Sequence, residues 1–547
     1  MKIKSAISIL VTLCAVLGAS AQNRNFEMMK NLEIYNSVFK EIELFYVDTI
    51  DIKASVGRSI NAMLDNLDPY TKYYEDEDEE LKMMITGKYA GVGAVIRYVR
   101  KKNCCIVAEP YEDMPAAKAG LKAGDVIVAI DGESTKGMKV EEVSKRLKGT
   151  TGTTVVVKVE RPGQNKPMAF KITRQPIQTP VIAYYGMLTD DIGYLDYSQF
   201  TENSARDLRN AFISLRQKGM KKFILDLRSN GGGSLDEAVE LLSMFINKGE
   251  TVVETKGKIK QANRTYKTTT DPIAFDMPLV VLVGSATASA SEITSGTLQD
   301  LDRAVIIGGR TYGKGLVQNV RPVPYGGNVK VTTSKYYIPS GRCIQAIDYK
   351  NRNEDGSVGR IPDSLTNVFY TRAGRMVRDG GGITPDITVE GDSVPNMLYY
   401  LMESDEIIDY ATQYCLKHPT IAPARDYVMT DDEYEDFKAY IEKSDFKYDR
   451  HSKGVLDELR KMAEFEGYLE EAKDEFAALE KKLSHNIGHD LDHFKTLVKP
   501  LVENEITKRY YYQKGAIIQS LRYDKCIDKA KEVLNSEETY HSILSNK

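Results

Sequence analysis

At 547 residues the chain has room for several domains, and 42% hydrophobic with 28% charged residues is the make-up of an ordinary globular protein. A net charge of -4 argues against nucleic acid as the main partner. Scattered cysteines, including the adjacent Cys104-Cys105, exclude a disulfide framework and a paired-cysteine zinc site.

Lys2 and Lys4 precede an apolar run from Ala6 to Gly18, and Ala19-Ser20-Ala21 supplies a small-x-small cleavage site. Residues 1–21 therefore read as a cleaved export signal, and the mature chain is expected in the periplasm or peripheral to the membrane. From about Phe26 to Met84, apolar residues such as Ile34, Val38, Ile42 and Leu44 recur at helical spacing, so residues 22–87 are expected to be a helical segment. Leu67-Asp68-Pro69-Tyr70-Thr71 breaks it as a turn, and the acidic cluster from Glu75 to Glu80 reads as a solvated helix start.

Residues 88–175 alternate short strands with glycine turns. A short helix at Met114–Leu121 leads into the strand and tight turn of Ala123–Gly132, followed by a helix (Lys139–Leu147) and a strand (Thr153–Val159). This order resembles a PDZ domain. Gly91-Val92-Gly93-Ala94 falls where such domains carry the loop that binds a chain terminus by its carboxylate while the peptide adds as a strand.

Residues 176–395 show βαβ alternation, which predicts an α/β core with buried strands. Expected elements are a strand at Ile192–Tyr197, a helix at Glu202–Gln217 and strands at Lys222–Leu227 and Met277–Val283. A helix from about Ser289 and strands at Ala304–Ile307 and Lys330–Tyr337 follow. Residues 346–379 are polar and read as an irregular insertion. Residues 396–547 are charged and helical, with a capping box at Thr430–Glu433 and an apolar stripe through Val455, Leu459, Met462, Phe476 and Leu479. The stripe reads as core or a subunit contact, and His485, His489 and His493 as a solvated helix rather than a metal site.

The chemistry concentrates in three places. Ser289 follows a strand and a turn of small residues at a helix start, where backbone N–H groups and the helix dipole favour a developing negative charge. A serine nucleophile needs a base, yet all six histidines lie beyond residue 417. Lys314, between two glycines, is the substitute, provided burial lowers its pKa by about three units from ~10.4. Gln318 can orient an amine without restabilising its charge. Glycines in Asp226-Leu227-Arg228-Ser229-Asn230-Gly231-Gly232-Gly233 free the backbone to aim N–H groups at an oxyanion. Taken alone, Ser289 could equally be a helix cap, and Ser285, Ser291 and Ser295 compete with it.

That glycine motif, Ser289-Ala290-Ser291-Glu292 and Gly313-Lys314-Gly315-Leu316-Val317-Gln318, in this order behind a PDZ-like region, resemble the C-terminal processing (tail-specific) serine peptidases. Leu67-Asp68-Pro69-Tyr70, Tyr337-Ile338-Pro339-Ser340-Gly341-Arg342 and Gly382-Ile383-Thr384-Pro385-Asp386 extend the likeness across about residues 30 to 392. The resemblance implies Ser289 as nucleophile, Lys314 as general base, Gln318 as its orienting partner, and Gly232 and Ala290 as oxyanion donors. It implies structural support from Asp300, and a multidomain α/β fold: a crotonase-like ββα protease core with an inserted PDZ domain and helical segments at both ends.

The expected activity is exported serine endopeptidase action near protein C-termini, by a Ser–Lys dyad, without metal or organic cofactor. Expected partners are proteins with unstructured apolar tails, with an adaptor or a second subunit at residues 396–547. The rival readings are a catalytically silent PDZ scaffold and an acyl-thioester enzyme of the crotonase type, the latter disfavoured by export.

Overall fold

The computed structural model describes residues 2–75, 79–353, 357–391, 394–483 and 486–545. Part of the acidic cluster after Glu75, and His485, lie outside the described residues. Among the described residues no helix is long and apolar enough to cross a membrane.

The central sheet has six strands in the order Ile182–Met187, Ile192–Tyr197, Lys222–Asp226, Leu279–Val283, Val305–Gly308 and Ile387–Thr388. The first pair is antiparallel and the rest are parallel. All five residues of Leu279–Val283 are buried, as a parallel strand covered on both faces requires. One face carries the helices Ser204–Gln217, Leu235–Leu242 and Ala290–Asp300, whose apolar sides close the largest core. The other face is covered from far along the chain, by Ile527, Ala530, Val533, Leu534 and Tyr540 of the last two helices. Tyr540 Oη accepts from Leu279 N at 2.9 Å, tying the last helix to the strand that leads towards Ser289.

A second sheet, of five strands, lies beside the first: Asn328–Tyr337 pairs with Leu316–Pro322, with Thr251–Gly257, and with the short strand Lys72–Tyr74. The N-terminal segment is thus helical at Lys2–Phe45, Ile52–Asp65 and Glu79–Thr86, with the short strand Lys72–Tyr74 sewn onto this sheet before the third helix. Residues 94–173 form a separate six-stranded antiparallel sheet flanked by the helix Val140–Leu147.

Two expectations change. Residues 346–379 are not irregular: they form two hairpins, Ile347–Arg352 with Val358–Arg360 and Val368–Tyr370 with Met376–Arg378. The C-terminal region is helical as expected, and its last helices also complete the core of the central sheet. The core half of the reading of the stripe after residue 450 fails: Leu456 and Phe476 are buried, but Val455, Leu459, Met462 and Leu479 are exposed.

The 94–173 sheet docks against the C-terminal helices through charge. Lys101 pairs with the buried Glu406 at 2.6 Å, Lys102 with Asp409 at 2.7 Å and Arg97 with Asp405 at 3.5 Å.

Candidate active site

Ser289 stands between the strand Leu279–Val283 and the helix Ala290–Asp300, at φ +56° and ψ -116°. Its turn is stitched to the glycine loop. Thr287 Oγ1 donates to Leu227 O (2.8 Å), Ala288 N to Asn230 O (3.1 Å) and Ser291 Oγ to Asn230 O (2.9 Å). Gly232 packs so closely that a Cβ there would lie 2.6 Å from Ala288 O and 2.8 Å from Ser289 Cβ. Its φ of +99° also requires glycine.

One buried carboxylate organises the site. Glu292 accepts from Ser289 N (2.9 Å), Thr311 Oγ1 (2.5 Å), Gly313 N (2.7 Å) and Lys314 N (2.8 Å). Burial pushes its pKa up to about 7, against the pull of these donors. Sequence reasoning quoted Glu292 without assigning it a role. A glutamate three residues after a serine that opens a helix is the spacing of a capping box, and that signal points to it.

Lys314 is half-buried. Burial, then the nearby Lys330, lowers its pKa to about 8, while Glu292 and Asp68 oppose the shift. No hydrogen bond joins its amine to Ser289 Oγ; Nζ instead rests 4.3 Å from the centroid of the Tyr70 ring. Tyr336 Oη donates to the carbonyl of Lys314 and, at 3.3 Å, to that of Ser289.

Two expected contacts are placed otherwise. Gln318 Nε2 donates to Thr332 Oγ1 at 3.1 Å and makes no hydrogen bond to Lys314, because the Leu316–Pro322 strand pairs there with Asn328–Tyr337. Gly232 N donates to Asn230 Oδ1 at 2.8 Å in this state, where an oxyanion role needs that amide free. The Ala290 amide, one residue past Ser289, has no hydrogen-bond partner among the described residues.

Beneath the glycine loop, Arg228 links Asp226 to Asp524 of the C-terminal region, each at 2.6 Å. Asp226 also accepts from Tyr194 Oη at 2.9 Å. Asp300 pairs with the buried Arg342 at 2.8 Å and accepts from Ser340 N at 3.0 Å.

Gly91 ends the strand Lys88–Gly91, which pairs with Gln175–Gln178, and Ala94 opens the first strand of the 94–173 sheet, with Val92 and Gly93 between them. The carbonyls of Val92 and Gly93 accept from Ala116 N (2.8 Å) and Tyr111 N (3.0 Å). Gly93 has φ +74°, and a Cβ there would meet Met114 Cβ at 2.6 Å. The helix Val140–Leu147 and the strand Ala94–Val99 belong to this same unit, as a strand-adding peptide groove requires.

Residues 191–351 match Peptidase family S41, residues 106–161 a PDZ domain, and residues 397–534 the C-terminal helical domain of probable PDZ-proteases. The chain is 36% identical over 330 residues to a carboxy-terminal-processing protease of Bartonella bacilliformis, covering 59% of this chain and 75% of that protein. It is 32% identical over 330 residues to a probable CtpA-like serine protease of Staphylococcus saprophyticus, covering 60% of this chain and 65% of the relative. Among solved structures, the photosystem II D1 C-terminal processing protease is 29% identical, covers 65% of this chain and 86% of that one, and has a TM-score of 0.37.

Proposed function

The chain belongs to the carboxy-terminal-processing proteases of Peptidase family S41 and is a serine-type peptidase acting on peptide substrates; from that premise we propose that it cleaves proteins near their C-termini with a Ser289–Lys314 dyad. The observation that carries this reading is the shared Glu292 carboxylate, which holds the main chains of both residues together around a lysine of lowered pKa.

In the proposed reaction, Lys314 leaves the Tyr70 ring and accepts the Ser289 hydroxyl proton as Oγ attacks the scissile carbonyl. The Ala290 amide stabilises the oxyanion. The resulting ammonium returns the proton to the departing amine, leaving an acyl-enzyme. Neutral Lys314 then takes a proton from water, whose oxygen attacks the ester, and protonates Ser289 Oγ as the acid product leaves. The loop Gly91–Ala94 receives the free carboxylate of an unstructured apolar tail, which adds as a strand beside Ala94–Val99. The basic start, apolar run and Ala19-Ser20-Ala21 support export to the periplasm.

Ser289→Ala and Lys314→Ala are each expected to abolish cleavage of a tailed substrate, with circular dichroism and melting temperature preserved. Full activity in Lys314→Ala would overturn the dyad. N-terminal sequencing of the mature chain from a periplasmic fraction is expected to begin at Gln22.

A further inference from the structure

Lys314 rests on an aromatic surface delivered by a distant part of the chain. Its Nζ lies 4.3 Å from the Tyr70 ring centroid, inside the range at which a ring face attracts a cation. That ring is fixed at both ends. On the backbone side, the buried Asp68 accepts from Tyr70 N and Thr71 N, both at 2.9 Å, and from Thr71 Oγ1 at 3.1 Å. Thr332 N donates to Thr71 Oγ1 at 3.2 Å, and Lys72–Tyr74 continues as a strand on Asn328–Tyr337. On the hydroxyl side, Tyr70 Oη donates to Tyr312 Oη at 3.3 Å and shares a 3.1 Å hydrogen bond with Tyr349 Oη. The Tyr349 ring meets Tyr70 edge-on at 5.9 Å. The N-terminal turn, the lysine loop and the first hairpin of the 346–379 insertion therefore converge on one ring.

A ring face attracts an ammonium but not a neutral amine, so this placement favours the form of Lys314 that cannot act as a base. We propose that Tyr70 is a positioning residue that parks Lys314 as its ammonium in the resting enzyme and so sets the pH at which the base becomes available. The proposal rests on Lys314 being the base. The other charged groups facing the amine are Lys330 on the neighbouring strand, which disfavours its charge, and Glu292 and Asp68, which favour it. The ring adds to the second group, and its contribution ends when the amine moves to Ser289.

The test is isosteric. In the full chain, Tyr70→Phe is compared with mono- and trifluorinated phenylalanine at the same position, which drain the ring face while keeping its shape. The readout is kcat/KM against pH on a peptide with an apolar tail, together with melting temperature. The acid limb is expected to shift to lower pH stepwise with fluorination, by about one unit in total, with KM and melting temperature constant. A limb that stays in place or moves upward across the series overturns the proposal. So does a series in which only melting temperature or KM changes, which is what a purely structural ring would produce. Lys314→Ala separates the two readings: an inactive Lys314→Ala with an unmoved limb defeats the ring's role alone, whereas a fully active one defeats the dyad as well.

Discussion

The backbone amides of Ser289 and Lys314 donate to the same atom, Oε2 of Glu292, at 2.9 Å and 2.8 Å. Two residues twenty-five positions apart are thereby held as neighbours by a group that reaches neither side chain. The carboxylate fixes the main chain at both residues, and the lysine amine itself rests on the Tyr70 ring.

Glu292→Gln keeps the shape but offers one acceptor oxygen and turns an NH2 towards backbone donors. At least one buried amide loses its partner, at a cost of about 1–3 kcal/mol. The expected result is a lower urea midpoint and a kcat reduced about 100-fold, as for other losses of site geometry. Unchanged turnover would show that the two loops hold their places without the carboxylate.

Activity is expected to require neutral Lys314. With its pKa lowered to about 8, kcat/KM rises with pH up to that value and levels above it. Glu292, pushed up to about 7, adds a second loss below neutrality because its protonated form gives up acceptor capacity, so the acid limb steepens there. For stability the sign reverses. A carboxyl with a raised pKa binds its proton more tightly when folded, so its contribution is full below the ordinary carboxylate range and is lost as pH rises through about 7. Urea melts across that range check the second statement independently of catalysis.

Arg342 and Asp300 are both buried and meet at 2.8 Å. Removing one partner strands the other charge, so Arg342→Leu is expected to cost about 3–5 kcal/mol. A melting temperature close to wild type would refute a supporting role for the pair.

The PDZ unit is held to the C-terminal helices by Lys101–Glu406 and its neighbours. Glu406→Lys is expected to weaken this contact by about 1 kcal/mol or more, and Lys101→Glu in the same chain to restore part of it. Hydrogen exchange at Ala94–Val99 and Cys104–Pro110 would read the loosening. Equal exchange in the single and double variants would remove these charges from the interface.

The core was legible where local pattern and burial agree. The buried run Leu279–Val283 and the amphipathic Ser204–Gln217 fall within two residues of their expected limits. The insertion was misread because its hairpins are short and largely solvent-facing, so their strands lack a clear alternation of apolar residues. The closing helices were read only as part of a charged helical region, since nothing local says that Ile527, Ala530 and Val533 cover sheet strands built about 220–350 residues earlier. Ser289 and Lys314 were singled out by motif order. Tyr70 was read as part of a turn and of a matching motif but given no role, because its contact with Lys314 belongs to the tertiary fold.

Ser289 holds a left-handed φ of +56° that residues with a side chain rarely adopt. Such a backbone stores about 1–3 kcal/mol, a debt carried at the proposed nucleophile and settled by the rest of the fold. Alanine keeps the Cβ and so keeps the tension, which makes Ser289→Ala a faithful silent twin of the enzyme. Ser289→Gly would let the turn relax, and that dead protein should outlast the living one on heating.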